Sequence, residues 1–267
     1  MASPTYPTSG PLAVELRGTA LILTLNRPDR VNALSRELIQ ALGNTARMAA
    51  DDPAVRALVI TGAGDKAFCA GADLKERQGL SKDDVREVVR LYRTEFGAID
   101  HSPKPVVAAI NGVALGGGLE LALMCDLRVA SAHAVLGLPE TSLGIIPGAG
   151  GTQKLPRVVG EARAKEMILL GRRLSADEAL EWGLVNRIAP KGTSVVDKAL
   201  SFLEPVLKGA PIAQAAALEA IDAGLDSDLA TGMQLEVLAY ERTLVSKDRD
   251  EALAAFAEKR EPSYQGR

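Results

Sequence analysis

Apolar and polar residues are grouped along this chain in blocks that predict strands followed by helices. Short continuous apolar runs are typical of strands that are covered on both faces of a sheet. Apolar residues three and four positions apart, behind a serine that can act as N-cap, predict helices. By these criteria we predict strands at Ala20–Leu25, Ala57–Thr61, Val106–Ile110, Leu127–Ala130 and Leu184–Ile188, and helices at Ser35–Asp51, Ser81–His101 and Leu119–Cys125.

Strand, loop and helix follow one another repeatedly in the first two thirds of the chain. A loop is expected after Gly62-Ala63-Gly64, where the second strand runs into glycines. Repeats of this kind favour βαβ units, because parallel strands need a crossover connection that is usually a helix. The fold class predicted from the pattern is therefore α/β, with a mainly parallel sheet.

The two ends of the chain differ from this central part. Residues 1–11 are rich in Pro, Thr and Ser, and we expect a disordered N-terminal tail. From Val195 to about Lys259 the pattern is helical, interrupted at Gly224 and at Asp226-Ser227-Asp228. A helical piece of this size is marginal on its own. We therefore predict a catalytic domain at 12–195 and a helical subdomain at 196–267 that supports oligomerisation.

Composition narrows the function classes. The 267 residues carry 31 Lys and Arg against 34 Asp and Glu, a net charge of −3, which argues against general nucleic-acid binding. The longest uncharged stretch, Pro105–Leu119, is too short and too polar for a membrane span, and no targeting signal is evident. We expect a cytoplasmic protein without a membrane partner.

Histidine and cysteine are scarce, with two of each. Cys69 and Cys125 lie far apart in apolar segments, and no zinc-ligand spacing is present, so we expect reduced thiols and no metal site. Acid–base chemistry near neutral pH would then depend on carboxylates with altered pKa values.

Three glycine-rich loops need an explanation: Gly62 to Gly71, Gly116 to Gly118, and Gly148 to Gly151. None of them fits a P-loop or a dinucleotide fingerprint. Glycine allows backbone N–H groups to approach a ligand closely, and N–H groups at a helix N-terminus can hold an oxyanion. The alternative is that these loops are tight turns without a ligand.

Two glutamates stand beside such segments. Glu120 follows Gly118 inside an apolar helix, where it is either exposed or buried with a raised pKa. Glu140 lies in an apolar segment that contains glycine and proline. Considered without Glu120, it could be a helix N-cap. Together with backbone donors, the two carboxylates form a coherent acid–base site for chemistry next to a carbonyl.

In combination, these motifs resemble those of the enoyl-CoA hydratase/isomerase (crotonase) family. The similarity extends over nearly the whole chain beyond about residue 11. The matching segments are Leu25-Asn26-Arg27-Pro28, Asn32-Ala33-Leu34, Ala67 to Glu76, Pro105 to Asp126, Pro139-Glu140, Gly144 to Gln153 and Phe256 to Arg260.

The resemblance implies a crotonase-like spiral of ββα units with a helical C-terminal region, assembled as homotrimers or as hexamers that pair two trimers. It implies that the N–H groups of Ala72 and Gly117 form an oxyanion hole for a thioester. The segment Ala72-Asp73-Leu74-Lys75 would border coenzyme A, with Lys75 and the more distant Lys259 suited to its nucleotide part. Coenzyme A belongs to the substrate, so no separate cofactor is expected.

The implied reaction is reversible syn addition of water to 2-trans-enoyl-CoA, with Glu120 activating the water and Glu140 protonating C2. Three alternatives remain open: a 3-methylglutaconyl-CoA hydratase, an enoyl-CoA isomerase that needs only one carboxylate, and an RNA-binding protein. One relative of the methylglutaconyl branch binds AU-rich RNA through lysines on an early helix. That helix carries Gln40, Asn44 and Met48 here, which disfavours RNA.

Overall fold

The computed structural model describes residues 5–8 and 10–267. This part of the chain contains ten strands, divided between two sheets. In chain order the strands are Leu12–Arg17 (β1), Ala20–Leu25 (β2), Ala57–Gly62 (β3), Ala67–Cys69 (β4), Val106–Ile110 (β5), Val113–Leu115 (β6), Leu127–Ser131 (β7), Val135–Gly137 (β8), Arg173–Ser175 (β9) and Arg187–Ala189 (β10).

The same residues contain eleven α-helices and two short 3₁₀ helices. The α-helices are Arg36–Asp51 (α1), Leu74–Arg77 (α2), Lys82–Asp100 (α3), Gly117–Leu123 (α4), Gly151–Val159 (α5), Glu161–Leu169 (α6), Ala176–Glu181 (α7), Val195–Lys208 (α8), Pro211–Leu225 (α9), Leu229–Leu244 (α10) and Lys247–Glu258 (α11); the 3₁₀ helices are Pro28–Arg30 and Glu140–Leu143.

The chain passes repeatedly from a long strand to a short one. The larger sheet has the order β1-β2-β3-β5-β7-β10, and the smaller has the order β4-β6-β8-β9. Each of β3, β5 and β7 is followed by a short strand of the smaller sheet, and the neighbours from β2 to β10 are parallel. The α/β class and the spiral of ββα units are therefore confirmed.

The central strands are buried on both faces, as their continuous apolar sequences predict. Every residue of β3 and β5 is buried. Leu58 and Ile60 face the core cluster that contains residues of α1 and α3. Val59 and Val107 face the opposite cluster, which α8 covers. Because side chains alternate between the faces of a strand, a run without polar residues requires cover on both sides.

Serine caps fix the starts of two long helices, in agreement with the sequence. The Ser35 hydroxyl accepts a hydrogen bond of 3.2 Å from the Leu38 N–H at the start of α1. Ser81 and Asp84 form a reciprocal capping box at the start of α3. Such caps satisfy N–H groups that have no partner within the helix.

Several local features differ from the sequence prediction. β1 has no counterpart among the predicted strands, and the strand predicted at Leu184–Ile188 is found only at Arg187–Ala189, because the N–H groups of Leu184 and Val185 donate to the Ala179 carbonyl of α7. β4 follows Gly64 closely, where only a loop was expected. α4 begins at Gly117, two residues before the predicted start at Leu119. A Cβ at Gly118 would clash with the Cys69 carbonyl oxygen. Close packing against β4, and not a turn, therefore requires glycine at this position of the helix.

The C-terminal helices differ in how they pack. Val195, Ala199 and Leu203 of α8 belong to the cluster on the larger sheet. α9 and α10 pack mainly against each other. Large apolar side chains of α9 to α11 are exposed in the single chain, namely Ile221, Leu225, Leu229, Met233, Val237, Leu238, Tyr240, Leu253 and Phe256.

The predicted N-terminal tail is described only in part, since residues 1–4 and 9 lie outside the described residues. The Tyr6 hydroxyl donates a hydrogen bond of 2.8 Å to Asp52, and the Pro7 carbonyl accepts one from the Val14 N–H. No helix among the described residues has the length and apolar character that a membrane crossing needs.

Candidate active site

A short bridge between Leu34 and Ala72 orients the first backbone donor. The Leu34 N–H donates to the Gly71 carbonyl at 2.8 Å, and the Asp73 N–H donates to the Leu34 carbonyl at 3.1 Å. This pairing uses the amide after Ala72 and leaves the Ala72 N–H without an acceptor among the described residues. Gly71 has a φ of 97°, a conformation that favours glycine.

The second donor is the first N–H of α4. Gly116, with a φ of 54°, turns the chain into the helix, and an N–H in the first helical turn has no intrahelical acceptor. A Cβ built at Gly117 would lie 3.8 Å from the Ala72 nitrogen, so the two N–H groups are neighbours. Both residues line one cavity. The predicted pair of donors is thus brought together.

Glu120 points from α4 into the same cavity and is 3% exposed. Its Oε1 accepts hydrogen bonds from the N–H groups of Ala149 (2.7 Å) and Gly151 (2.8 Å). Burial raises the pKa of Glu120, while these two donors and the charge of Arg77 lower it. The third glycine-rich loop therefore orients a carboxylate.

Glu140 is the first residue of a 3₁₀ helix, and Pro139 occupies the N-cap position, so an N-cap role for Glu140 is excluded. Its Oε2 is buried and has no hydrogen-bond partner among the described residues. Burial raises the pKa of Glu140 to about 7; its own amide and Arg77 lower the pKa, and the charge of Glu120 raises it. The two glutamates therefore share a cavity but differ in hydrogen bonding.

The cavity has a volume of about 1060 Å³, enough for a substrate of considerable size. Its wall includes Ala72, Gly117 and both glutamates, together with apolar side chains of α3 and of the loop after Glu140. Residues of α3 that shape the wall include Val85, Val89 and Tyr92.

The residues predicted to border coenzyme A differ in their surroundings. Leu74 lines the cavity and Lys75 is exposed. Asp73 is buried and caps α2 by accepting hydrogen bonds from the N–H groups of Lys75 and Glu76. It also forms an ion pair of 2.7 Å with Arg27. The Asp73 carboxylate is thus occupied by contacts within the fold.

The two cysteines and two further arginines do not line the cavity. Cys69 and Cys125 are buried free thiols, and burial raises the pKa of Cys69 to about 12. Arg157 pairs with Asp226, and Arg172 pairs with Glu166 and Glu178. No group of three potential ligands in residues 5–8 and 10–267 fits a metal ion.

Sequence reasoning missed Arg77, Ala149 and Gly151 as individual site residues. The glycine-rich character of 148–151 signalled the loop, but not that its amides bind Glu120. Arg77 gave no signal, because an arginine at the end of a short charged helix is ordinarily solvated.

Comparisons with known proteins agree with this architecture. A family model described as enoyl-CoA hydratase/isomerase matches residues 15–267. The crystal structure of an enoyl-CoA hydratase from Bacillus anthracis has 47% identity and a TM-score of 0.93, covering 97% of this chain and 100% of that chain. The mitochondrial methylglutaconyl-CoA hydratase of Homo sapiens is 43% identical, over 96% of this chain and 76% of that protein.

The mitochondrial enoyl-CoA hydratase domain-containing protein 2 of Mus musculus is 44% identical, over 92% of this chain and 84% of that protein. The family match spans almost the full length, and it includes both glutamates and both backbone donors. On this evidence of sequence and structure, the chain belongs to the enoyl-CoA hydratase/isomerase family.

Proposed function

We propose that this protein is an enoyl-CoA hydratase, which adds water reversibly to 2-trans-enoyl-CoA thioesters. The observation that carries the proposal is the shared cavity, in which two buried glutamates face two neighbouring backbone N–H groups. Moving a double bond requires one acid–base group, whereas adding water requires one group for the water and another for the carbon. The presence of both glutamates favours hydration.

In the proposed step, Glu120 takes a proton from water while the water oxygen bonds to C3. The C2=C3 π electrons move toward the thioester, and the N–H groups of Ala72 and Gly117 stabilise the charge that develops on its oxygen. C2 then takes a proton from Glu140, and the thioester carbonyl re-forms. Passing one proton from Glu120 to Glu140 restores the starting state.

The hydrogen bonds around each carboxylate support this division of roles. Two N–H donors hold Oε1 of Glu120 and favour its ionised form, which suits a base. Glu140 has a partnerless buried oxygen and a pKa raised to about 7, so a substantial fraction is protonated near neutral pH. Because the two carboxylates titrate as a pair, these roles describe the protonation state in which Glu120 is ionised and Glu140 is protonated.

We further propose that coenzyme A lies along Ala72-Asp73-Leu74-Lys75. The main chain would bind near the thioester, and the exposed Lys75 and Lys259 suit the phosphates. The acyl group would occupy the part of the cavity lined by Val85, Val89 and Ile146, whose apolar character favours a hydrocarbon chain.

The test follows the ultraviolet absorbance of crotonyl-CoA, which disappears when the conjugated double bond is hydrated. Glu120→Gln and Glu140→Gln are each expected to lower kcat at least a hundredfold, the range of general acid–base catalysis. Glu87→Gln, at an exposed glutamate of α3, serves as the matched control and should retain full activity. Full activity in both cavity variants would refute the mechanism.

Product analysis separates hydration from isomerisation. With a 3-enoyl-CoA substrate, an isomerase accumulates the conjugated isomer faster than any hydrated product. Comparing kcat/KM for crotonyl-, octenoyl- and 3-methylglutaconyl-CoA then ranks the acyl groups. A preference for 3-methylglutaconyl-CoA would contradict the expected hydrocarbon specificity.

We also propose that the protein assembles as a homotrimer, or as a hexamer of two trimers. The exposed apolar side chains of α9 to α11 favour burial against further copies. Light scattering after size-exclusion chromatography measures the mass directly, and a monomer at micromolar concentration would exclude the assembly.

A further inference from the structure

One partly buried cation faces the two glutamates of the cavity. Arg77, the last residue of α2, is half-buried and lines the cavity together with Glu120 and Glu140. Within residues 5–8 and 10–267, no carboxylate lies within ion-pair distance of its guanidinium. Its guanidinium lies beside the Tyr92 hydroxyl, a neutral hydrogen-bond partner. A partly desolvated guanidinium without a charged partner is costly, so its position calls for a reason.

Apart from the two glutamates, the other charged groups on the cavity wall are exposed or already paired. Arg93 and His101 are exposed, and Asp100 pairs with Lys154 at 2.5 Å. Burial raises the pKa of Tyr92, so its hydroxyl stays neutral near pH 7. The full set of charged or titratable residues that line the cavity is Arg77, Tyr92, Arg93, Asp100, His101, Glu120 and Glu140.

We propose that Arg77 is a positioning residue for the hydration reaction, whose charge in the shared cavity favours the ionised form of one of the two buried glutamates. The inference rests on the proposed hydratase function. Two buried carboxylates in one cavity repel each other, and each is also disfavoured as an ion by burial. Without a nearby cation the pair would hold two protons over a wider pH range, and then no carboxylate could accept a proton from water.

The direction of the electrostatic effect agrees with this role. Burial raises the pKa of both glutamates, and Arg77 lowers the pKa of both. Its contribution at Glu140 opposes that of Glu120, which raises the Glu140 pKa further. Arg77 therefore acts on the pair through its charge and requires no direct hydrogen bond to either carboxylate.

The first test measures kcat/KM for crotonyl-CoA against pH in three variants. Arg77→Met should move both limbs of the profile to higher pH by about 0.5 to 1 unit. At a fixed pH on the acid limb, this shift lowers kcat/KM by about three- to tenfold. Arg77→Lys keeps the charge and should restore the wild-type profile. Arg90→Met removes an exposed cation of α3 that does not line the cavity and should leave the profile in place.

The second test does not depend on turnover. Carbon-13 NMR of the glutamate side-chain carboxyl groups, assigned with Glu120→Gln and Glu140→Gln, follows the titration of the pair directly. Upward shifts in Arg77→Met with little change in Arg77→Lys support the inference even if crotonyl-CoA is not a substrate. Absence of activity on every enoyl-CoA would refute the hydratase proposal, and the NMR titration would still test the effect of Arg77 on the pair.

Three results would overturn the role of Arg77. The first is a pair titration and pH profile that are identical in Arg77→Met and the wild type. The second is an equal shift in Arg77→Lys, which would show that side-chain shape matters and not charge. The third is a loss of activity in Arg77→Met that affects only acyl groups with a second carboxylate and leaves the pH profile unchanged. Such a result would make Arg77 a substrate-binding residue.

Discussion

Replacing Asp73 by alanine separates a structural role from coenzyme A binding. The Asp73 carboxylate accepts hydrogen bonds from the N–H groups of Lys75 and Glu76 and pairs with Arg27. Arg27 also donates to the Ala33 carbonyl, next to the bridge that orients Ala72. The substitution should therefore loosen one oxyanion donor as well as the start of α2.

The expected cost follows from these contacts. Loss of a helix N-cap costs about 1 kcal/mol. Breaking the ion pair costs about 2 kcal/mol, less than for a fully buried pair, because the Arg27 side chain remains 19% exposed and regains water. A total of about 3 kcal/mol corresponds to a fall in Tm of about 6 to 10 °C for a domain of this size.

The pH dependence has a defined sign. Burial alone would raise the Asp73 pKa, but the Arg27 hydrogen bond and the two amide donors outweigh it and lower the pKa. A carboxylate with a lowered pKa stabilises the fold at neutral pH and loses that contribution as pH falls through the folded-state value. The Tm difference between wild type and Asp73→Ala should thus narrow below about pH 4.

Thermal unfolding at several pH values and steady-state kinetics with crotonyl-CoA provide the assay. We expect a lower Tm and a roughly tenfold lower kcat, from the less well-held Ala72 N–H, with KM changing little. Asp73→Asn keeps an oxygen for capping and should fall between wild type and Asp73→Ala. An unchanged Tm and kcat with a raised KM would refute this reasoning and assign Asp73 to coenzyme A.

Two further predictions concern packing and a second buried acid. Gly118→Ala should destabilise the fold by about 3 kcal/mol, the upper end of typical overpacking costs, and lower Tm accordingly, because the new Cβ meets the Cys69 carbonyl. The control Gly97→Ala, whose new Cβ has no atom within 4 Å, should raise Tm slightly. Burial raises the pKa of Asp126 to about 6, so the fold loses stability as pH rises from about 4, where the unfolded chain ionises, to about 6, where the folded protein does. The Tm of Asp126→Asn relative to the wild type should therefore rise between about pH 4 and about pH 6 and then level off, and a constant difference would contradict this.

The main sheet was predictable from the sequence because burial leaves a direct mark on it. Residues 57–60 and 106–110 are apolar without interruption, and the strands found there are covered on both faces. The capping serines at positions 35 and 81 likewise act locally, within three residues. The strands of the smaller sheet have three residues each, too few for a period, and only their pairing with distant segments makes them strands.

For the site, the sequence indicated residue types and the structure supplied the partners. Glu120 and Glu140 could be selected because acids are rare in apolar segments. The amides of Ala149 and Gly151 could not be assigned to Glu120, since no local pattern links residues about thirty positions apart. Arg77 was missed for the same reason: its importance comes from the α2 to α4 juxtaposition, which is tertiary.

The two proposed oxyanion donors belong to the main chain, and the ββα spiral places them together. β4 and β6 pair in parallel, so the residues that follow them, Gly71-Ala72 and Gly116-Gly117, reach the same edge of the small sheet. One amide is free because the Leu34 bridge uses its neighbours, and the other because it opens a helix. Neither donor depends on its own side chain. Substitutions of β4 and β6 residues that shift this pairing should therefore lower kcat even where every polar side chain of the cavity is intact, a result that side-chain reasoning alone does not predict.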